Sequence, residues 1–170
     1  MKHTISALVE NRPGVLARIS GLFARRGFNI HSLAVGTTDN PAVSRMTIVV
    51  DLPEKPLEHV TKQLHKLINV LKVIELDPGA SVVRELMLIK VHAPPSNRSQ
   101  IIELVEVFRA KVVDVASDAM TVELAGPPGK LHAFENLVAP CGIIEMVKTG
   151  SIALARGSKG IRERALRAAG

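Results

Sequence analysis

The segment Asn11-Arg12-Pro13-Gly14-Val15-Leu16 carries the chemistry that residue type and spacing make readable. It stands where a strand-like run hands over to a helical one. The backbone amides of Gly14, Val15 and Leu16 therefore open a helix without intrahelical acceptors. The helix dipole adds roughly half a positive charge at that point, so a carboxylate placed there gains several charge-assisted hydrogen bonds. Gly14 has no Cβ, which lets a ligand approach the backbone closely. Asn11 can offer its side-chain carbonyl to an ammonium group and its amide to a carboxylate, a pairing that suits a free amino acid. Val15, Leu16, Ile30 and Leu33 are available as an aliphatic wall. Spacing alone fits a plain strand-to-helix turn capped by Asn11 at least as well, and at this level both readings stand.

Other chemistries lack their residues. There is no Gly-x-Gly-x-x-Gly run for a dinucleotide. Gly126-Pro127-Pro128-Gly129-Lys130 departs from a phosphate loop in its glycine spacing, and Leu131 stands where Ser or Thr would hold magnesium. Its prolines remove two amides, so the segment reads as a helix start. The six histidines include no i, i+4 pair, and no metal site is expected. Cys141, the one cysteine, can form neither an internal disulfide nor a thiolate zinc site; it reads as a small apolar residue in a reducing compartment. No Gly-x-Ser-x-Gly elbow is present, and no catalytic constellation is found.

The elements that must position the Asn11 segment follow from periodicity. His3–Val9 alternates as a half-buried strand, and Val15, Leu16, Ile19, Leu22 and Phe23 recur at helical spacing. Arg25, Arg26 and Gly27 are stop signals for that helix. Extended runs at 28–36 and 43–51 follow, then a helix carrying Leu57, Val60, Leu64, Leu67 and Ile68 behind Pro53 and Pro56, then a strand at 70–76. After Pro78-Gly79 the same order starts again. A strand spans 83–92, a helix carries Ile101, Ile102, Leu104, Val105 and Phe108, and strands span 112–116 and 120–125. A helix with Leu131, Phe134, Leu137 and Val138 follows, and one closing strand spans 143–154. This predicts an α+β chain of two ferredoxin-like βαββαβ domains, 1–78 and 79–157, with a flexible basic tail at 158–170. Each unit is small enough that a lone core is marginal, so an oligomer is expected.

Composition narrows the partners. The chain has 170 residues, 46% of them apolar and 22% charged, which marks a folded protein. Aromatics are 2%, with no Trp or Tyr, which argues against base-stacking surfaces. The net charge of +6 is concentrated in residues 156–170, whose five cations face one acid. A ferredoxin-like nucleic-acid module using that tail is the alternative reading, weakened because the cations do not lie along strands. No apolar run approaches the ~20 residues of a membrane span, and a bacterial cytoplasm is the expected location.

The run Asn11-Arg12-Pro13-Gly14-Val15-Leu16-Ala17-Arg18, with Gly21-Leu22-Phe23 and Arg25-Arg26-Gly27-Phe28-Asn29-Ile30, resembles the ACT domain, a small-molecule sensing module of amino-acid metabolism. Taken with Val35-Gly36-Thr37-Thr38-Asp39-Asn40-Pro41, Ser44-Arg45-Met46-Thr47-Ile48, Arg84-Glu85-Leu86-Met87-Leu88-Ile89-Lys90 and Gly150-Ser151-Ile152-Ala153-Leu154-Ala155-Arg156-Gly157, it is similar to the regulatory subunits of acetolactate synthase (acetohydroxyacid synthase). The resemblance covers essentially the whole chain. It implies an N-terminal ACT domain, a homodimer with ACT sheets side by side, and a branched-chain amino acid, usually valine, held between them. It further implies that Asn11 and Gly14, with the amides of Val15 and Leu16, bind this effector, and that Asn29 and Ile30 are contributed from the facing subunit. Arg12 stands at a variable position and receives no role. The partner implied is the large catalytic subunit, which would carry thiamine diphosphate, magnesium and FAD; this chain would be non-catalytic and hold no cofactor of its own. Neither a nucleic acid nor a membrane is an expected partner. Which branched-chain amino acid binds best is not readable from the residues.

Overall fold

The computed structural model describes residues 2–52 and 54–161. The chain divides into two compact units, one made of residues up to 82 together with the chain from 151 onward, the other of residues 83–150. In the first unit β1 (Lys2–Glu10) is followed by α1 (Val15–Arg25), β2 (Ile30–Thr37), β3 (Val43–Asp51), α2 (Glu54–His65) and β4 (Val70–Leu76). The strand order is β2-β3-β1-β4 and all pairings are antiparallel. Then come β5 (Ser81–His92), α3 (Arg98–Val107), β6 (Lys111–Val115), β7 (Ala119–Gly126), α4 (Pro128–Val138) and β8 (Ile143–Lys148), in the order β6-β7-β5-β8. Counted from its own first strand, the second sheet repeats the order of the first. Both are ferredoxin-like βαββαβ units, and the chain is α+β as expected.

Alternation sends one side of each strand to the helices. Ile5, Ala7 and Val9 of β1 and Met46, Ile48 and Val50 of β3 bury against Val15, Ile19, Leu22 and Phe23 of α1 and Leu57, Val60 and Leu64 of α2. Each large aliphatic or phenyl side chain so buried contributes ~1.5–3 kcal/mol. In the second unit Met87, Ile89 and Val91 meet Ile101, Val105, Leu131 and Phe134. Phe108 packs edge-on to Phe134 with ring centres 5.3 Å apart.

The first helix of each unit ends in the same way. Gly27, at φ 68°, lets its own amide reach Ala24 O and the Phe28 amide reach Phe23 O, closing α1 in a Schellman motif. After α3 the same two bonds run from Arg109 N to Glu106 O and from Ala110 N to Val105 O, with Arg109 at φ 52° in the place glycine takes in the first unit.

Several expectations are corrected. The helix expected to carry Leu67 and Ile68 stops at His65, because Lys66 N and Leu67 N turn back to Gln63 O and Leu64 O; Leu67 stays against the core but Ile68 is 89% exposed. The single closing strand expected at 143–154 is broken in two. Thr149 N bonds Leu86 O, Gly150 turns at φ 80°, and β9 (Ile152–Ala155) pairs with β5 as a fifth strand off the β6-β7-β5-β8 path, while residues from 151 onward group with the first compact unit and Arg156 N donates to Ala80 O. There Ser151 N donates to Ser32 Oγ and Arg45 Nη2 to Ala153 O. The expected division at residue 78, with 79–157 in the second domain, therefore differs from the compact units, which place residues 79–82 and the chain from 151 onward with the first. Ile161, in the segment expected to be a free tail, packs on Leu8, Val43 and Ile74. Residues 162–170, the remainder of that segment, lie outside the described residues, as does Pro53.

Candidate functional site

The loop between β1 and α1 is built by ties to the β2–β3 turn. That turn is stiffened from within: Thr38 N bonds Val43 O, Val43 N bonds Asn40 O, and Ala42 N bonds Asn40 Oδ1. It presents two carbonyls to the loop, Ala42 O to Asn11 N at 2.8 Å and Pro41 O to Asn11 Nδ2 at 2.9 Å. The side-chain amide of Asn11, which the sequence reading offered to a ligand carboxylate, is thus partly committed to holding its own loop. Its Oδ1 has no partner among the described residues and remains an acceptor for an ammonium group.

Gly14 caps α1 at φ 85° and ψ −12°, in the left-handed region, and a Cβ built there meets nothing within 4 Å. Only the conformation, not crowding, calls for glycine inside this chain. Val15 N turns back to Arg12 O at 3.4 Å, and the first full helical bond runs from Arg18 N to Gly14 O at 3.1 Å. The amides of Gly14, Leu16 and Ala17 have no acceptor among the described residues, and residues 11–14 are exposed. Of the expected donors Gly14 and Leu16 stand free, while Val15 is spent within the loop and Ala17 takes its place. The wall is also corrected. Val15 faces the core at 5% exposure, and Ile30 and Leu33 lean on the same core, whereas Leu16 is 45% exposed beside the free amides.

A polar frame surrounds the loop. Asn69 Nδ2 donates to Glu10 Oε2 at 2.8 Å, Arg18 Nη1 donates to Asn69 Oδ1 at 2.9 Å, and Arg12 Nε lies 3.5 Å from Glu10 Oε2. Sequence reasoning missed Asn69 and Arg18, because their partners lie 59 and 51 residues away and leave no local signal.

Asn29 and Ile30 are not at this end of the sheet. Ile30 pairs with Val50, which pairs with His3, while the loop follows Glu10, which pairs with Val43. From His3 to Glu10 at ~3.4 Å per residue is a separation of about 24 Å. Within one chain the expected site residues therefore form two groups at opposite ends of β1. Asn29 is exposed and without a hydrogen bond among the described residues.

Elsewhere, Lys130 folds over Gly126 and its Nζ reaches Ala125 O, so the Gly126–Lys130 segment starts α4 and cradles nothing. Cys141 packs against the second core. Among the described residues no three His, Cys, Asp or Glu side chains are arranged to hold a metal, and no helix is long and apolar enough to cross a membrane. A groove of about 480 Å³ opens beside α2 and β4, lined by His3, Thr61, His65 and Glu75 among others; the loop at 11–16 is not part of it.

A ferredoxin-like unit with an exposed amide-rich opening to its first helix is the form of an ACT domain, and residues 5–72 match the AHAS small subunit-like ACT domain. Residues 84–157 match the family described as the small subunit of acetolactate synthase. The chain is 55% identical over 159 residues to the acetolactate synthase small subunit of Mycolicibacterium smegmatis, covering 94% of each, and equally so to that of Mycobacterium leprae. The crystal structure of the small subunit from Thermotoga maritima superposes with a TM-score of 0.86 at 40% identity, covering 94% of this chain and 99% of that one. The chain belongs to the acetolactate synthase small-subunit family.

Proposed function

We propose that this chain is a non-catalytic regulatory subunit. It binds the large catalytic subunit of acetolactate synthase in the cytoplasm, raises its activity, and confers feedback inhibition by valine or a related branched-chain amino acid. The observation that carries this reading is the loop itself, where the amides of Gly14, Leu16 and Ala17 and the Oδ1 of Asn11 have no partner among the described residues at a positive helix end. The amides take the carboxylate, Asn11 takes the ammonium, and Leu16 offers aliphatic surface.

The separation of Asn29 and Ile30 from the loop supports a pocket completed by a second copy. β2 is the edge of its sheet. Two copies related by a two-fold axis pair such edges antiparallel. The start of β2 in one copy then lies against its end at Thr37 in the other, and Thr37 is beside Ser44 at the loop end. Each pocket thus draws Asn11, Gly14, Leu16 and Ala17 from one protomer and Asn29 and Ile30 from its partner, with Val15 anchoring the loop in the core. Effector binding favours one pair geometry, and linkage requires the large subunit to change effector affinity by the same factor, a coupling of ~1–3 kcal/mol. Thiamine diphosphate, magnesium and FAD are assigned to the large subunit, where the chemistry would occur.

The test is Gly14→Asp. A carboxylate at the anion position repels the effector, and calorimetry is expected to show no valine binding. Wild-type affinity in this variant would refute the assignment of the loop.

A further inference from the structure

The opposite end of α1 carries a feature that the effector loop does not use. The C-terminal ends of α1 and α2 lie side by side, and a cleft of about 400 Å³ between them is lined by Leu22, Arg25, Arg26, Gln63, Lys66 and Leu67. Its floor is aliphatic, with Leu22 buried and Leu67 partly so. Its rim is cationic and exposed.

Cations in a last helical turn are ordinary, since they complement the dipole. Here two helix ends bring theirs to one cleft, and no carboxylate among the described residues answers them. Arg25, Arg26 and Lys66 make no ion pair among the described residues; the nearby Glu58 is taken by Lys62 at 2.7 Å. α1 contains no acidic residue at all. Arg26 is held in place at the rim, because its Nη1 donates to His59 Nε2 at 2.6 Å. Arg25 lies back over Gly21, where a Cβ would come within 3.3 Å of its Nη1. The rim is therefore a set of mutually repelling charges around an apolar floor, which an anionic side chain with an aliphatic stem would complement.

We propose that this cleft is the docking site for an acidic protein surface, with projecting Glu or Asp side chains entering between Arg25, Arg26 and Lys66. The proposal rests on the function proposed above, and it names the face presented to the large subunit. α1 spans 11 residues, about 16 Å at ~1.5 Å per residue, so effector amides and docking cations sit at the two ends of one rigid rod. Both can be occupied together, and a tilt of α1 on effector binding would be felt at the cleft.

The test uses the full chain and the purified large subunit of the same complex. Affinity is measured from low to high KCl for wild type, for Arg25→Glu/Lys66→Glu, and for Lys111→Glu/Lys130→Glu, which makes the same charge change away from the cleft. Arg25→Gln/Lys66→Gln guards against misfolding, together with valine calorimetry on each variant. The expected result is at least ~tenfold weaker association and a flatter salt dependence for the cleft reversal, an intermediate loss for the Gln pair, and unchanged valine binding. Equal weakening by the Lys111/Lys130 control, or unchanged affinity in the cleft variants, overturns the proposal. So does competition by inorganic pyrophosphate that disappears in the Gln pair while large-subunit affinity persists, which would make the cleft a small-anion site. If wild type fails to bind the large subunit at any salt, the function proposed above fails instead.

Discussion

At the scale of single residues, the loop shows how much of a binding site residue type can reveal. A glycine between a strand and a helix, three positions after an asparagine, pointed to free amides, and free amides are there at Gly14, Leu16 and Ala17. What could not be read was which of Asn11's polar atoms the protein keeps for itself, because Pro41 O arrives from a turn 30 residues away. Nor was the inward aim of Val15 readable, since a helical stripe gives a face but not the rotation at its first residue. Asn29 offers the sharpest residue-level test. It is exposed and makes no hydrogen bond among the described residues, so Asn29→Ala should leave the melting temperature within about 1 °C of wild type. In the proposed role the same variant resists valine yet still activates the large subunit. Loss of activation together with inhibition, at normal melting temperature, would place Asn29 on a surface shared by both.

At the scale of elements, alternation and helical spacing predicted strand and helix order well, since each unit puts one apolar face against two helices. Ends were harder where the deciding bond is distant. The break of the closing strand at Gly150 depends on Leu86 holding Thr149; Thr149-Gly150-Ser151 is its local signal, which the apolar residues on either side outweigh in the reading of one continuous strand. Arg109 is a test of the repeated helix ending. Its left-handed backbone costs a residue with a Cβ ~1–2 kcal/mol, partly offset by the ~0.5–1 kcal/mol of chain entropy that glycine would lose. Arg109→Gly should therefore stabilise the protein by about 0.5–1 kcal/mol in urea unfolding; destabilisation would mean that the arginine side chain holds the turn. In α2, the hydrogen bond from Lys62 and its charge hold the Glu58 carboxyl below the usual carboxylate range. The carboxylate is favoured in the folded state, so the pair's support for α2 is present above the ordinary Glu range. It fades as pH falls through the lowered value. Amide exchange in α2, corrected for intrinsic rates, should accelerate on acidification in wild type and show less pH response in Glu58→Gln.

At the scale of the molecule, the first unit is assembled from both ends of the chain. Ser151 bonds Ser32 and Ala153 bonds Arg45, 119 and 108 residues earlier, and Ile161 is 9% exposed against Leu8, Val43 and Ile74. Ile161→Ala should cost about 1–3 kcal/mol of stability, read as an earlier urea midpoint for probes in the first unit. An unchanged midpoint in Ile161→Ala would mean that this contact is not held in solution.

The discontinuity has a consequence for biogenesis. A ribosome making this protein releases residues 1–82 first but withholds the strap that completes their unit, from residue 151 onward, until the second unit has been made. The nascent N-terminal sheet must wait with Leu8 and Val43 uncovered while the second half emerges. A message truncated after residue 82 would therefore yield not a complete first unit but a sticky fragment, a candidate for chaperones or proteolysis.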